Sequence, residues 1–433
     1  MKFTKMSLVA ALLIGSSAFA IENTKVTGDA NLFYSTSDAK SGYAGISDKS
    51  DLFSKDNSAA DVAVNLNVTT DLVKNDTVAI SAGAGYTVLT TLGLENNLVS
   101  NVWGGAHTAT APSGASYGSV IGGAKVENAN WVTEAWVAAT AGKTTAKLGR
   151  MTLDTPLAFT ETWSIEKNTF EAVVLINQDI PDTTLVGAFV GNGNGTEAFG
   201  QTDLQSNVNG LGLASAAVVN ANGDFGTYGT DGAYAVGVIN NSFKPLTVQA
   251  WYYNLPRLAD AYWLQADLKC KKVKGLLAGV QYSSVKAAAA GSTADDVYAV
   301  MLGYEIKDIA TLKAAYSSVN DDGSLGYAGF NTATSAGTAQ SKLYTEAWWN
   351  YGNVTKSGTD TIHLTAEAKV AKVDLGLYIT AIDHQEADAD LNEYTVTASK
   401  SFGPLDTTAA VVYTDPETGD ATTMIQAYLT LKF

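Results

Sequence analysis

Most protein classes depend on residues that this sequence has in short supply. One cysteine among 433 residues excludes a disulfide scaffold and any metal site built from cysteines alone. The 27 lysines and arginines stand against 43 acids, which argues against general nucleic-acid binding because phosphate contacts need basic side chains. After residue 20, no apolar run approaches the roughly 18 residues of a membrane-spanning helix. The three histidines form no nucleophilic or zinc-type pattern, so we expect no enzyme.

Residues 1–20 have the pattern of a secretory signal peptide. Two lysines form a short basic region, residues 8–14 are apolar, and residues 18–20 (AFA) fit a small-x-small cleavage site. We expect cleavage after residue 20, which leaves residues 21–433 as a single domain. The loss of two lysines changes the formal net charge from −16 to −18. The pattern predicts an exported protein without a helical anchor.

The sequence does contain segments in which apolar and polar residues alternate. In residues 62–69 (VAVNLNVT) every second residue is apolar, and a similar period continues in 78–88, 362–370 and 373–380. Side chains at a period of two share one face of a strand. No stretch longer than two turns has the spacing of an amphipathic helix. The pattern predicts an all-β chain.

The connections between these strands are of two kinds, which alternate along the chain. Eight are short and nine are variable and often long, which predicts about eighteen strands, with sixteen as the alternative. All the long connections then fall at one end, as in a transmembrane antiparallel β-barrel with short periplasmic turns and long external loops. The seven prolines fall in connections or at a strand start. The predicted turns are 71–76, 141–144, 178–181, 240–245, 270–274, 306–309, 370–372 and 401–404, and the predicted loops are 36–60, 91–129, 152–168, 192–230, 255–260, 287–294, 319–358, 384–390 and 415–420.

The last strand alternates up to the final residue. Ile425, Ala427, Leu429 and Leu431 share the parity of the terminal Phe433. A terminal phenylalanine that closes an alternating strand is similar to the signal that the outer-membrane assembly machinery reads. We therefore expect Phe433 to be the assembly signal.

The two faces of each strand differ in polarity. In a membrane barrel the apolar parity contacts lipid, and the polar parity lines a water-filled lumen. On this basis the residues predicted to line the lumen are Glu134, Lys147, Asp267, Lys313, Glu367, Lys369 and Asp374. The aromatic residues predicted to form girdles at the membrane edges are Tyr34, Tyr86, Trp131, Tyr262, Tyr304, Tyr316, Tyr394, Tyr413 and Phe433. The alternative is that these aromatic side chains fill the core of a β-sandwich.

The third loop, at about 152–168, carries the predicted pore constriction. It follows Arg150 and contains Asp154, Glu161 and Glu166. If this loop folds into the lumen, its acids would face bases on the wall and set both a size limit and a transverse field. The alternative is that these side chains are solvated charges of an external loop.

Several short segments resemble one known family. Residues 131–158 contain KLGRMTLDTP (147–156), which resembles the GRQ…TP segment of porins, although Met151 stands where related porins often have Gln. Together with KLYTE (342–346) and NEYTV (392–396), this segment is similar to the Campylobacter-type major outer membrane porin family. The resemblance implies an eighteen-stranded barrel, usually a homotrimer, which passes small hydrophilic solutes with a preference for cations. It also allows a divalent cation such as calcium in the constriction, without assigning its ligands.

These observations predict a porin in the bacterial outer membrane, with ions, small hydrophilic solutes and outer-membrane lipid as its partners. A second hypothesis is a surface adhesin or structural outer-membrane protein that acts through loops 192–230 and 319–358. A third is an outer-membrane lipid hydrolase that uses His363, the one histidine on a predicted strand.

Overall fold

The computed structural model describes residues 22–39, 51–53, 58–90, 129–162, 165–194, 225–228, 231–332, 339–385 and 389–433. The predicted signal peptide and most of loop 192–230 lie outside these ranges. The strands are β1 (Glu22–Ser37), β2 (Ser58–Lys74), β3 (Ala79–Thr90), β4 (Ala129–Ala141), β5 (Thr144–Met151), β6 (Phe170–Asn177), β7 (Thr183–Gly193), β8 (Gly226–Thr227), β9 (Ala233–Asn240), β10 (Leu246–Leu255), β11 (Ala259–Lys269), β12 (Leu276–Ala287), β13 (Asp295–Ile306), β14 (Ala310–Val319), β15 (Thr359–Val370), β16 (Val373–His384), β17 (Leu391–Phe402), β18 (Leu405–Pro416) and β19 (Thr422–Lys432), and the helix is α1 (Tyr351–Val354).

The strands form one closed antiparallel sheet. Each long strand pairs with the next along the chain, and β1 pairs with β19, so the sheet has no edge there. The two-residue strand β8 lies in a loop, and β7 pairs directly with β9 past it. The result is an eighteen-stranded β-barrel, which confirms the predicted fold class. Among the described residues, no helix is long and apolar enough to cross a membrane.

Side chains along each strand point alternately away from the lumen and into it. We call the first set the outward row and the second the inward row. On β13, Val300 and Leu302 are exposed on the outside, whereas Val297 and Ala299, which have the opposite parity, are buried on the inside. Their outward neighbours on adjacent strands are also apolar, so the rows join into a belt around the barrel. An exposed apolar belt of this extent is unstable in water and suits a hydrocarbon surrounding.

Short and long connections sort to opposite ends, as predicted. The eight turns of the structure are 75–78, 142–143, 178–182, 241–245, 270–275, 307–309, 371–372 and 403–404, each within a few residues of its predicted range. In one of the two-residue turns, Ala371 and Lys372 have φ angles of 50° and 68°. Positive φ at both central residues is the type I′ geometry, which matches the twist of the flanking strands.

The tyrosine girdle lies at the loop end of the barrel, on the outward row. Tyr86, Tyr262, Tyr394 and Tyr413 are all exposed there. Several such hydroxyl groups donate to acceptors that also face outward; for example, Tyr316 donates to Asp360 over 3.0 Å. The polar end of each ring is thus satisfied while its body stays in the apolar belt.

The girdle prediction for Trp131 is wrong. Gly85 pairs with Glu134, but the next residue, Tyr86, pairs with Val132, so Thr133 is an extra residue in a β-bulge. The bulge reverses the parity, and Trp131 and Glu134 therefore both face inward. Trp131 is only 6% exposed. Gly85 makes room for this bulge, because a Cβ there would lie 2.8 Å from the hydroxyl oxygen of Thr133.

The final residue takes part in closing the barrel. Phe433 and Gly28 exchange two backbone hydrogen bonds of 2.7 and 2.9 Å, which extend the β1–β19 ladder to the end of the chain. The Phe433 ring faces outward and is 63% exposed. It covers Gly28 so closely that a Cβ on Gly28 would lie 2.4 Å from the ring. The assembly-signal role of Phe433 stays a prediction.

We expect Gly28→Val to weaken closure, because the new side chain would displace the Phe433 ring and meet the Asn65 carbonyl oxygen. Overpacking of this kind costs about 1–3 kcal/mol. The measurement is the folded fraction of refolded protein, read from heat-modifiable electrophoretic mobility. Gly187→Val is the matched control, since a Cβ on Gly187 would meet nothing within 4 Å. Equal folded fractions for the two variants would contradict this account of closure.

Candidate functional site

The segment between β14 and β15 is here called loop 7 (residues 320–358), and its described residues, 320–332 and 339–358, lie in the lumen of the barrel. Its residues bond to opposite parts of the wall. Gln281 on β12 donates to the Lys342 carbonyl oxygen over 2.8 Å, and Tyr344 donates to Asp267 on β11 over 2.6 Å. On the other side, Trp348 donates to Gln426 on β19 over 2.9 Å. The sequence places 319–358 outside the barrel, whereas these described residues cross its interior.

Two wall carboxylates hold the ends of loop 7. Asp295 accepts hydrogen bonds from the backbone N–H groups of Leu325 and Gly326, both at 2.8 Å. Glu393 accepts from the backbone N–H groups of Trp348 at 2.8 Å and Asn350 at 2.7 Å. Both carboxylates are almost completely buried. Hydrogen bonds to a charged acceptor are stronger than neutral ones, so these contacts fix the path of the loop.

A second segment is here called loop 3 (residues 152–169), and its described residues, 152–162 and 165–169, also lie against the inward face. Leu157 packs in a cluster that includes the inward rings of Trp263 and Phe330. Asn331 of loop 7 accepts from the Phe159 backbone N–H over 3.1 Å and donates to its carbonyl oxygen over 2.9 Å. The two loops thus contact each other inside the barrel and narrow its lumen together.

The predicted constriction acids on loop 3 have three different environments. Glu161 is 1% exposed and accepts hydrogen bonds from the Asn331 side chain at 2.7 Å and the Gln340 backbone N–H at 3.1 Å. It therefore connects loop 3 to loop 7. Asp154 is largely exposed and forms an ion pair with Lys342 of loop 7. The third acid, Glu166, is buried against the wall.

Glu166 lines a cavity of about 260 Å³ between loop 3 and strands β1, β2 and β19. Burial raises the pKa of Glu166 to about 7, although the backbone N–H of Lys167 donates to it over 3.1 Å. The Lys167 ammonium group forms an ion pair with Glu134 over 2.7 Å. Glu134, a predicted lumen residue, thus also holds loop 3 against the wall.

The structure does not bring Arg150 together with these acids. Arg150 forms an ion pair with Glu171 on β6 over 2.7 Å and donates to the Val132 carbonyl oxygen over 2.6 Å. Glu171 shares its parity with the exposed Val173, so this pair lies on the outward row. Gly149, with a φ of 118°, precedes Arg150 but does not redirect it inward.

The other predicted lumen residues lie on the inward row. Asp267, Lys313 and Glu367 alternate with exposed apolar residues on β11, β14 and β15. Lys147 lies inside with its ammonium nitrogen 4.1 Å from the centre of the Trp136 ring. At the turn end of the barrel, Lys369 and Asp374 form an ion pair of 3.2 Å.

Two larger cavities share part of the wall, the larger against β15, β16, β18 and β19 and the other against β13–β17. One of about 650 Å³ lies between loop 7 and the wall, and it includes Trp348, His363 and Tyr378. The other, of about 610 Å³, opens at the turn end and includes Glu367, Asp374 and Tyr378. Tyr378 lines both, so it stands where one passes into the other.

Loop 7 is the functional element that sequence reasoning missed. Residues 343–354 (LYTEAWWNYGNV) carry four large aromatic side chains, a composition unlike that of a solvated external loop. This signal was available, but a loop between alternating strands gives no period that shows which way it folds.

No metal site is apparent in the described part of the chain. No group of three or more His, Cys, Asp or Glu side chains comes together there in a way that could hold an ion. Calcium in the pore therefore remains an implication of the family resemblance.

Comparisons with known proteins identify the fold. No model of a protein family matches the sequence, and no curated protein matches it. Among solved structures, Pseudomonas aeruginosa OccK9 (OpdG) is similar with a TM-score of 0.72 at 13% identity, over 95% of this chain and 99% of that one. P. aeruginosa OpdK with vanillate is similar with a TM-score of 0.68 at 12% identity, over 96% and 99%.

These solved structures are outer-membrane porins of Pseudomonas. At such low identity, the likeness shows that this chain has the fold of that class of channel. Membership of the Campylobacter-type family in particular stays a prediction.

Glu393→Gln should loosen loop 7, because an amide is a weaker acceptor for the backbone N–H groups that it holds and adds a donor among them. The loss is about 2 kcal/mol for a charge-assisted hydrogen bond. We expect larger open-channel current noise and a higher mean conductance in single-channel recordings. Glu417→Gln, on an exposed loop, is the control. Identical noise and conductance in both variants would show that Glu393 does not hold the loop.

Proposed function

We propose that this protein is a porin of the bacterial outer membrane, through which small hydrophilic solutes and ions diffuse passively. The observation that carries the proposal is the closed barrel with an apolar outward row and a polar inward row. Every backbone group of such a wall can be satisfied without water, which a lipid surrounding requires. The two cavities that meet at Tyr378 supply a path on the inside.

A preference for cations is the finer part of this proposal. Lys167 and Lys342 are each paired with an acid, Glu134 and Asp154. Other inward carboxylates accept hydrogen bonds from neutral donors: Asp267 accepts from Tyr344 over 2.6 Å, and Glu367 accepts from Tyr378 over 3.0 Å. Neutral donors leave the negative charge of a carboxylate in place, so these groups attract cations into the lumen.

The remaining features of the proposal concern assembly, the membrane partner and the two alternative functions. A homotrimer follows from the family resemblance, and outer-membrane lipid is the partner that the apolar belt would contact. A lipid hydrolase is not supported, because His363 faces inward and its Nδ1 lies 2.9 Å from Thr380. The adhesin alternative cannot use the described residues of loop 7 as an external surface, because they lie in the lumen. It would depend on loop 192–230, which lies mostly outside the described residues.

The test is the reversal potential of the purified protein in a planar bilayer under a tenfold KCl gradient. We expect stepwise conductance and a cation-selective potential. In the double variant Asp267→Asn/Glu367→Gln, selectivity should fall severalfold, since each carboxylate contributes on the order of 1 kcal/mol to a nearby cation in water.

Asp383→Asn is the control for this experiment, because Asp383 is exposed on the outward row. If the double variant keeps the same cation selectivity, Asp267 and Glu367 are not the groups that attract cations into the lumen. The absence of conductance from correctly folded protein would contradict the porin proposal itself.

A further inference from the structure

Aromatic rings line the 650 Å³ cavity between loop 7 and the wall. The Trp348 ring lies 5.5 Å from the Tyr378 ring at an angle of 34°, and the His363 ring lies 6.4 Å from Tyr378 at 26°. Tyr428 from β19 lines the same cavity. Three of these rings come from the wall and one from loop 7, so the wall and the loop build the aromatic surface together.

The polar groups of this cavity are largely neutral or paired. Gln340, Ser341 and Thr408 contribute amide and hydroxyl groups. Lys342 is paired with Asp154. The Glu346 carboxyl accepts from the backbone N–H and the hydroxyl of Ser341 at 2.7 and 2.8 Å. The cavity thus combines ring faces with hydroxyl and amide groups and contains no isolated cluster of one charge.

We propose that this cavity is a binding site for a neutral pyranose sugar on its way through the channel, an inference that rests on the proposed pore function. The C–H groups on one face of a pyranose form an apolar surface that packs on aromatic rings, while its hydroxyl groups need neutral donors and acceptors around the edge. A cavity of about 650 Å³ lies within the usual range for small-molecule sites and can enclose one or two such rings.

The position of the cavity gives the site a place on the permeation path. Tyr378 lines this cavity and also the one that opens at the turn end, and its hydroxyl group donates to Glu367 at that boundary. A sugar that leaves the ring surface of Trp348 would pass Tyr378 next. The site therefore lies within the channel, where occupancy must reduce the ion current.

The experiment measures block of single-channel KCl current by added solutes in planar bilayers. Glucose and maltose are the probes, and sorbitol is the matched solute, since it has a similar set of hydroxyl groups but no ring. Choline tests the competing possibility that the rings select organic cations. We expect saturable block by glucose or maltose and only the small viscosity effect with sorbitol.

Variants separate the ring contact from general damage. Trp348→Leu should raise the half-blocking sugar concentration about fivefold, which corresponds to the loss of one ring contact of about 1 kcal/mol. Trp348→Phe keeps a ring and should retain most of the block. Tyr298→Leu removes an outward-facing ring and should leave the block unchanged.

The sugar site would be overturned if sugar and sorbitol blocked the current equally, or if choline blocked it and sugar did not. In either case, the conductance itself would still support a pore. Equal block in Trp348→Leu and Tyr298→Leu would also overturn the sugar site. Absence of conductance would instead refute the proposed function on which this inference rests.

Discussion

A peptide group in hydrocarbon has no water to bond to, and this constraint explains the architecture of the chain. A sheet can meet it only by pairing its first strand with its last. Here the β1–β19 ladder does so, down to the two backbone hydrogen bonds between Gly28 and Phe433. The absence of a bulky side chain at Gly28 lets the terminal ring lie over the seam. The apolar outward row follows from the same requirement.

Closure of eighteen strands creates a second problem, because the lumen is too wide for wall side chains to fill. Loops 3 and 7 occupy it, and buried carboxylates fix them there. Asp295 and Glu393 hold loop 7 to the wall, and Glu161 joins it to loop 3. Burying these charges is costly unless each has several donors, and each has at least two. The narrowed path, with its rings and carboxylates, results from these contacts.

Strands and turns were predictable because both rest on local rules: a period of two, and short connections between antiparallel neighbours. The direction in which individual side chains point was less predictable. The extra residue at Thr133 reverses the parity of Trp131, and no local sequence signal distinguishes a bulge from regular strand. Glu161 was found as an acid of the third loop, but its partner Asn331 lies 170 residues away. Loop 7 was misplaced because its position depends on such distant contacts.

The central claim is that the inward row lines the water-filled path and the outward row does not. Lys313 and Leu312 are adjacent on β14 and face opposite ways. The most direct measurement is single-channel conductance after a charged methanethiosulfonate reagent is added to Lys313→Cys or Leu312→Cys, each in a Cys270→Ser background. The account predicts a conductance change for Lys313→Cys only. A change for Leu312→Cys, or for neither variant, would contradict it.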